Sequence, residues 1–243
     1  MTFIPYGHQW ISDEEVEAVS KALRGDWLTQ GPAVEAFEEA VARVAGARYG
    51  VAFSSGTAAL HGAYFAAGVG PGDEVLTSPL TFVATANAAL YLGGEARFAD
   101  IDPATGCLDP RRAREALSPR TRVIAPVSYA GYPAPLGEFL SLARETGALV
   151  VEDASHALGG ERQGRPVGAE ADLTVFSFHP VKHVTTGEGG MVVTNREDLA
   201  ARMRRFRSHG VEKDPQTLGE AWEGPWYYEM RELGYNYRLP DLQ

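Results

Sequence analysis

The sequence predicts an α/β fold with a mainly parallel central sheet, on three observations. Short apolar runs typical of buried strands alternate along the chain with amphipathic segments of helical period, as in βαβ units. Clusters of glycine and proline separate these segments, which marks turns and loops. The 243 residues are 44% hydrophobic and 22% charged, an ordinary globular composition for a chain long enough to bury a sizeable core.

The elements follow in order from the N-terminus. Ser12 and Glu15 have the spacing of a capping box, so a helix is predicted behind Ser12, and Gly25 ends it. A second amphipathic helix is predicted after Pro32. The remaining strands are predicted at YGVAFS, DEVLTS, ARFADI, TRVIAPVS, ALVVED, ADLTVFSF and GMVVTN, and the remaining helices at TAALHGAYFAAG, TFVATANAALYLG, PRRAREALS, LGEFLSLARETG and REDLAARMRRFRS.

The last part of the chain has no clear period. From Gly210 to Trp226 the sequence is polar and aromatic, which predicts an exposed loop or lid. We therefore expect three parts: an N-terminal segment (1–30), a large domain (31–209), and a region (210–243) that holds this loop and the start of a truncated C-terminal part.

Charge and composition exclude several classes of function. The net charge of −10 argues against a nucleic-acid-binding surface, which needs a basic stripe. Cys107 is the only cysteine, so no internal disulfide is expected and a reducing compartment fits. The N-terminus lacks the pattern of a signal peptide, and no apolar run approaches the roughly 18 residues of a membrane helix. We expect a soluble cytoplasmic protein that does not bind a membrane.

Small polar residues mark the first candidate site. In SSGTAALH, the residues Ser54, Ser55, Gly56 and Thr57 lie where a predicted strand ends and a helix begins. Free backbone N–H groups and the helix dipole make such a place an anion site. The alternative is that these residues are ordinary helix N-caps.

The stretch LVVEDASHALGG holds a second candidate. Asp153 ends a predicted central strand, where open α/β sheets bind their ligands. A carboxylate buried there must find a partner or shift its pKa, and the alternative is a cap on the following turn. For His156, the alternative to a ligand role is a structural histidine.

A third candidate is Lys182, within the apolar and glycine-rich segment VFSFHPVKHVTTGEGGMVVTN. Burial disfavours the ammonium form of a lysine, and the neutral amine forms Schiff bases with carbonyls and with pyridoxal phosphate. The alternative is an exposed loop lysine. Ser177 precedes Lys182 at a strand end, and Asp153 ends another strand upstream. A phosphate cradle, a carboxylate and a Schiff-base lysine are the protein parts that pyridoxal phosphate chemistry needs.

These motifs resemble one enzyme family over nearly the whole chain. The resemblance rests on PYGHQWISDEEVEAV, LTQGP, SSGTAAL, TFVATANA, VEDASHALGG, FSFHPVKHVTTGEGG and LGYNYRLPDLQ. The chain resembles the DegT/StrS-type aminotransferases, pyridoxal-phosphate enzymes of the aspartate aminotransferase-like fold type I that aminate nucleotide-linked keto-sugars. Within that family, FHPVKHVTTGEGG with EDASHALGG is most similar to the branch of pseudaminic acid biosynthesis.

The resemblance implies roles around the cofactor ring. Lys182 is expected to form the Schiff base and later to shuttle a proton, and Asp153 to pair with the pyridinium nitrogen. Phe82 is expected to stack on one face of the ring, Ser155 to pack near the other face, and His156 to lie by the phenolic oxygen.

The resemblance also implies a phosphate site and an assembly. Gly56, Thr57, Ala58 and Ser177 are expected to hold the phosphate. Asn236 is expected to reach the phosphate of a neighbouring subunit's cofactor, which implies a homodimer with the site at its interface. No metal ligand belongs to the implied site.

The implied reaction moves an amino group from L-glutamate to C4 of a UDP-linked 4-keto-6-deoxy-N-acetylhexosamine. The resemblance implies a small C-terminal domain after DLQ, so we expect this chain to be truncated relative to the family. The alternatives are another pyridoxal-phosphate reaction on the same scaffold, either a sugar dehydratase or an amino-acid aminotransferase, and an inactive truncated remnant. A related dehydratase has histidine in place of the lysine, so the presence of Lys182 argues against dehydration.

Overall fold

The structure, a computed structural model, describes residues 3, 7–219 and 222–243. Its helices are α1 (Asp13–Arg24), α2 (Pro32–Val44), α3 (Gly56–Ala66), α4 (Ala84–Tyr91), α5 (Pro110–Ala116), α6 (Leu136–Thr146), α7 (Glu197–Phe206) and α8 (Pro215–Leu218). Its strands are β1 (Tyr49–Phe53), β2 (Glu74–Thr77), β3 (Glu95–Phe98), β4 (Thr121–Ile124), β5 (Leu149–Asp153), β6 (Glu161–Arg162), β7 (Arg165–Pro166), β8 (Leu173–Ser177), β9 (Gly190–Thr194), β10 (Val211–Glu212) and β11 (Glu229–Met230).

The central sheet has seven strands in the order β1-β9-β8-β5-β4-β2-β3. The pairs β3/β2, β2/β4, β4/β5 and β5/β8 are parallel, whereas β9 lies antiparallel to both β8 and β1. Six strands of this sheet therefore run in one direction, and their carboxyl ends share an edge. The prediction of a mostly parallel sheet between helices is confirmed.

Both faces of the sheet are covered, because neighbouring residues of a strand point to opposite faces. In β1, Val51 and Phe53 pack with α3, α4 and α7, while Ala52 packs with α2. In β5, Val151 joins the first of these clusters, while Val150 joins the cluster of α5 and α6. Burial on both faces explains why the strands are nearly continuous apolar runs in the sequence.

The N-terminal helix has the predicted boundaries but not a buried face. The Ser12 backbone N–H donates to Glu15 at 2.7 Å and the capping box is complete, and Gly25 is the C-cap. No residue of α1 is buried, and its apolar residues Val16 and Val19 are exposed. Residues 1, 2 and 4–6 of the predicted N-terminal segment lie outside the described part of the chain.

The prediction of an irregular loop from Gly210 to Trp226 is wrong in part. Strand β10 pairs with β11, and α8 forms one helical turn in which Leu218 is buried. Arg205 of α7 contacts Glu212 at 3.5 Å and Glu232 at 3.2 Å, which ties this region to the large domain. Strands of two residues leave no period in the sequence, which is why they were missed. Residues 220 and 221 lie outside the described part.

The final residues of the chain return to the large domain. The Tyr237 carbonyl accepts a hydrogen bond from the Ser54 N–H at 2.7 Å, directly after β1. The Asp241 carboxylate accepts from the N–H groups of Gly31 and Ala33 at 2.8 and 3.0 Å, and so caps α2. The division into 1–30, 31–209 and 210–243 stays a prediction. In the described residues, the structure has no helix with the length and apolarity that a membrane crossing requires.

Candidate active site

A cavity of about 430 Å³ opens at the carboxyl edge of the sheet. The chain segments that follow β1, β5 and β8 meet there, as expected for a ligand site in an open α/β sheet. Eight of the ten predicted site residues line it: Gly56, Thr57, Phe82, Asp153, Ser155, His156, Ser177 and Lys182.

A larger and more open cleft of about 820 Å³ runs along α7 and β10. None of the predicted site residues lines this cleft, and its Arg205 already pairs with Glu212 and Glu232. The predicted site residues therefore point to the smaller cavity.

One end of the cavity is suited to a phosphate. Helix α3 begins directly after β1, and its N-cap Ser55 accepts the Ala58 N–H on Oγ at 3.1 Å. The N–H groups of Gly56 and Thr57 then have no acceptor within the described residues, and both residues face the cavity. Two free amides at a helix N-terminus, beside the Ser177 hydroxyl, form an anion site. The N-cap interpretation also holds for Ser55, and the Ala58 amide is already engaged.

Glycine is required at one place in this phosphate end and favoured at another. A Cβ on Gly190 would clash with the Ser55 carbonyl oxygen, whereas a Cβ on Gly56 would lie 3.1 Å from Cβ of Ser177, a tight contact. The start of β9 thus presses against the turn that enters α3. The contact at Gly190 explains a glycine that the sequence pattern alone left unassigned.

The carboxylate of Asp153 is almost fully buried, at 5% exposure, and three donors hold it. Its Oδ2 accepts the Thr85 hydroxyl at 2.6 Å, and its Oδ1 accepts the Ser155 hydroxyl at 2.7 Å and the Ser155 N–H at 3.2 Å. The last contact is the predicted cap on the following turn, and the same residue also lines the cavity. The Ser155 hydroxyl is directed at this carboxylate.

Lys182 is half-buried in the loop between β8 and β9. Burial lowers the pKa of its ammonium group, and the negative charge of Asp153 opposes that shift. The Phe178 carbonyl accepts from the Thr185 hydroxyl and the Thr186 N–H, both at 3.0 Å, which fixes the loop. The lowered pKa makes the neutral, nucleophilic amine more accessible.

The other predicted residues have distinct surroundings. Burial, and then the nearby charge of Lys182, lower the pKa of His156, so its imidazole favours the neutral form. Phe82 leaves 71% of its surface exposed at the cavity, as a ring does when its stacking partner is a ligand. Asn236 is exposed, pairs with Ser208 through a single β-bridge and does not line the cavity.

Sequence reasoning missed two threonines, Thr81 in the wall of the cavity and Thr85 behind that wall. Thr85 donates to Asp153, and Thr81 lies 2.7 Å from Thr85, oxygen to oxygen. Both lie in the segment TFVATANA, but α4 begins only at Ala84, so Thr81 precedes the helix and no helical spacing marks the pair in the sequence. Across the described chain, no cluster of His, Cys, Asp or Glu residues is arranged to hold a metal ion.

The residues that line the cavity fit pyridoxal phosphate. The free amides of Gly56 and Thr57 suit its phosphate, the buried Asp153 carboxylate suits a protonated ring nitrogen, and the half-buried Lys182 amine suits its aldehyde. A volume of about 430 Å³ is that of a small-molecule site.

Known proteins are similar in sequence to this chain over nearly its whole length. The model of the DegT/DnrJ/EryC1/StrS aminotransferase family matches residues 9–243. The spore coat polysaccharide biosynthesis protein SpsC of Bacillus subtilis is 42% identical, over 99% of this chain and 62% of its own length. The UDP-4-amino-4,6-dideoxy-N-acetyl-β-L-altrosamine transaminase of Campylobacter jejuni is also 42% identical, over 98% of this chain and 61% of its own length.

Solved structures share its fold. Helicobacter pylori PseC, an aminotransferase involved in the biosynthesis of pseudoaminic acid, matches with a TM-score of 0.89 and 35% identity, over 98% of this chain and 62% of that chain. The chain thus spans about three fifths of the length of these relatives. Aminotransferases of this family use pyridoxal 5′-phosphate, and one solved relative is a PLP form, so the cofactor prediction is confirmed. The structural match with PseC confirms the prediction of fold type I. On the match over residues 9–243, the chain belongs to the DegT/DnrJ/EryC1/StrS aminotransferase family.

Proposed function

We propose that this chain carries the cofactor site of a sugar aminotransferase that uses L-glutamate and aminates C4 of a UDP-linked 4-keto-6-deoxy-N-acetylhexosamine. The observation that carries the proposal is that the half-buried Lys182 shares one cavity with the Asp153 carboxylate and the free amides of α3. The sugar and the nucleotide are proposed from the Campylobacter jejuni relative, whose name specifies a UDP-linked amino sugar.

Each side chain has a separate task in this reaction. Pyridoxal phosphate, when bound, supplies an electron sink for the negative charge that develops on the reacting carbon. The amides of Gly56 and Thr57, with the Ser177 hydroxyl, hold its phosphate. Asp153 orients the ring and balances the charge of its nitrogen. Nζ of Lys182, in its neutral form, takes the proton from the amino carbon and later returns one.

The overall exchange is balanced by two half-reactions. Glutamate gives up its amino group, takes its keto oxygen from one water molecule and leaves as its 2-oxo acid. The sugar then exchanges its keto oxygen for that amino group, and the oxygen leaves as water. The nucleotide contributes remote binding energy that holds the carbonyl in place during the exchange.

The test begins with the cofactor. After incubation with pyridoxal phosphate and reduction by borohydride, peptide mass spectrometry locates the attached cofactor. The chain has three lysines, and Lys21 and Lys213 are exposed. We expect the label on Lys182 alone, because burial lowers its pKa. Lys182→Ala should abolish labelling and amino transfer, while Lys213→Ala should change neither. Label on an exposed lysine with Lys182 unmodified would contradict the proposal.

The acceptor is tested by competition. The loaded protein, first aminated with glutamate, is offered UDP-linked 4-keto-6-deoxy-N-acetylhexosamines or simple 2-oxo acids. We expect amino transfer to the keto-sugars. Turnover of the 2-oxo acids with none of the keto-sugars would support the amino-acid aminotransferase alternative and leave the cofactor chemistry standing.

A homodimer is part of the proposal, because Asn236 is exposed and away from its own cavity. In a dimer this amide is free to reach the phosphate of the neighbouring subunit's cofactor. Cofactor affinity should then fall on dilution below the dimer dissociation constant, since binding and assembly are linked. Sedimentation and cofactor titration at matched concentrations measure both. Affinity that does not depend on protein concentration would contradict the shared site.

A further inference from the structure

The buried side of Asp153 is joined to a chain of hydroxyl groups. Thr85 is fully buried, and its Oγ1 lies 2.6 Å from Oδ2 of Asp153. A threonine hydroxyl has one hydrogen, and an ionised carboxylate only accepts, so this hydrogen goes to Asp153. The 2.7 Å contact between Thr81 and Thr85 must then be a donation from Thr81. The direction is fixed: Thr81 donates to Thr85, and Thr85 donates to Asp153.

Thr85 is itself held in place from α3. The Tyr64 hydroxyl donates to the Thr85 carbonyl at 3.0 Å, and Tyr64 is fully buried. Burial, and then the negative charge of Asp153, raise the pKa of Tyr64, which keeps its hydroxyl protonated and donating. The Thr85 N–H donates to the Phe82 carbonyl at 3.2 Å. The same residue therefore connects Asp153 to the phenylalanine that lines the cavity.

We propose that Thr85 is a positioning residue, which with Thr81 holds the Asp153 carboxylate in one orientation for the cofactor's ring nitrogen. The inference rests on the proposed role of Asp153 toward that nitrogen. Only Ser155 and Thr85 donate to this carboxylate within the described residues. Without Thr85, Oδ2 of Asp153 has no donor among the described residues, and the carboxylate is held from one side only. A carboxylate that turns away from its position no longer meets the ring nitrogen.

The test compares two ligands that differ only at the ring nitrogen. Apo-protein is titrated with pyridoxal phosphate and with its analogue in which carbon replaces that nitrogen. Both ligands carry the phosphate and the aldehyde, so the ratio of their affinities reports the contribution of the contact between Asp153 and the ring nitrogen. Thr85→Val keeps the shape and removes the hydroxyl, and Thr85→Ser keeps the hydroxyl. Thr77→Val is the matched control, because Thr77 is equally buried and donates to the Ala125 carbonyl at 2.8 Å.

We expect Thr85→Val to weaken pyridoxal phosphate binding about tenfold, as changes behind a binding residue typically do, and to leave the analogue's affinity within about twofold. Thr85→Ser and Thr77→Val should keep the parent ratio. If both ligands lose affinity equally in Thr85→Val, or if neither does, the inference is overturned. If Thr85→Val does not fold, the same two titrations are made with Tyr64→Phe, which removes the hydrogen bond to the Thr85 carbonyl. Tyr64→Phe should lower the ratio of the affinities for pyridoxal phosphate and the analogue by a smaller factor. An unchanged ratio in this variant would overturn the inference.

A further variant separates this inference from the proposed function. Asp153→Asn should abolish the preference for pyridoxal phosphate over the analogue. If it does so while Thr85→Val keeps the preference, the role of Thr85 is wrong and that of Asp153 stands. If Asp153→Asn also keeps the preference, the proposed pairing with the ring nitrogen is wrong, and the inference falls with it.

Discussion

Asp153 and Glu152 are consecutive residues of β5, and both carry a buried carboxyl group. Asp153 is 5% exposed and Glu152 is 0% exposed, yet the surroundings of the two groups differ. Asp153 faces α3 and α4, lines the cavity and has three donors. Glu152 faces the opposite side, where it accepts from the Ser128 hydroxyl at 2.5 Å and the Thr174 hydroxyl at 3.3 Å. Burial raises the pKa of Glu152 to about 7.

The difference shows that the face of a strand, more than the type of side chain, decides what a carboxylate does here. Asp153 is open to a ligand. Glu152 is closed off, and its partner Ser128 also accepts the Ala134 N–H at 3.0 Å. That contact secures the segment with Tyr129, which lines the cavity. Glu152 thus supports a wall of the site from behind, as a structural residue.

The largest difference between the two carboxylates is expected when each is neutralised in turn. Asp153→Asn should slow the conversion of bound cofactor by glutamate well over 100-fold, beyond the usual effect of residues behind a site. Glu152→Gln should change that rate by less than about threefold, because Glu152 has no access to the cavity. Stopped-flow absorbance of the cofactor measures both rates. Similar losses in the two variants would show that the two faces are not independent.

The free energy of unfolding should depend on pH through Glu152. Since the pKa of Glu152 is about 7 when folded, against an ordinary 4.5, the unfolded chain ionises it first as the pH rises. Between these two values the folded protein holds the extra proton, so stability falls with rising pH. Through Glu152, the parent should therefore lose about 2 kcal/mol in free energy of unfolding from about pH 5 to about pH 7.5. Glu152→Gln should not show this loss, because glutamine does not titrate.

Denaturant titrations of the apo-protein at both pH values give this difference. The absolute stability of Glu152→Gln is not the test, because the new amide changes the hydrogen bonds to Ser128 and Thr174 as well. Only the change with pH is compared, since all other titrating groups are common to the two proteins. Parallel pH profiles for parent and variant would contradict a neutral Glu152.

The smallest expected effects come from the two serines that donate to these carboxylates. Ser155→Ala removes one of three donors to Asp153, so cofactor affinity should fall by about threefold to tenfold. Ser128→Ala should leave that affinity unchanged. It should lower the free energy of unfolding by about 1–3 kcal/mol, because the buried Glu152 loses the hydrogen bond from the Ser128 hydroxyl. Cofactor titration and denaturant unfolding of both variants test this. If Ser128→Ala lowered the cofactor affinity and Ser155→Ala did not, the assignment of each serine to its carboxylate would be wrong.

Much of the sheet and of the candidate site could be predicted, because the sequence patterns that indicate them are local. Alternating strand-like and helix-like runs predicted the sheet, and the residues just after the strands predicted which side chains meet at its edge. The loop with Lys182 was recognisable, because a lysine among apolar and glycine residues has few surface roles. The pairing of β10 with β11 was not predicted, since strands of two residues are set by contacts with α7 and carry no pattern of their own.

The sequence by itself determined the order of the elements, the places where β1, β5 and β8 end, and the set of chemical groups at those ends. Only the tertiary structure decided which groups touch. Thr85 and Asp153 are 68 residues apart, and Ser54 and Tyr237 are farther apart still. Hydrogen bonds between such distant residues depend on how helices and strands pack, and packing is a property of the folded chain. For that reason Thr85 was invisible in the sequence, although Asp153 was not.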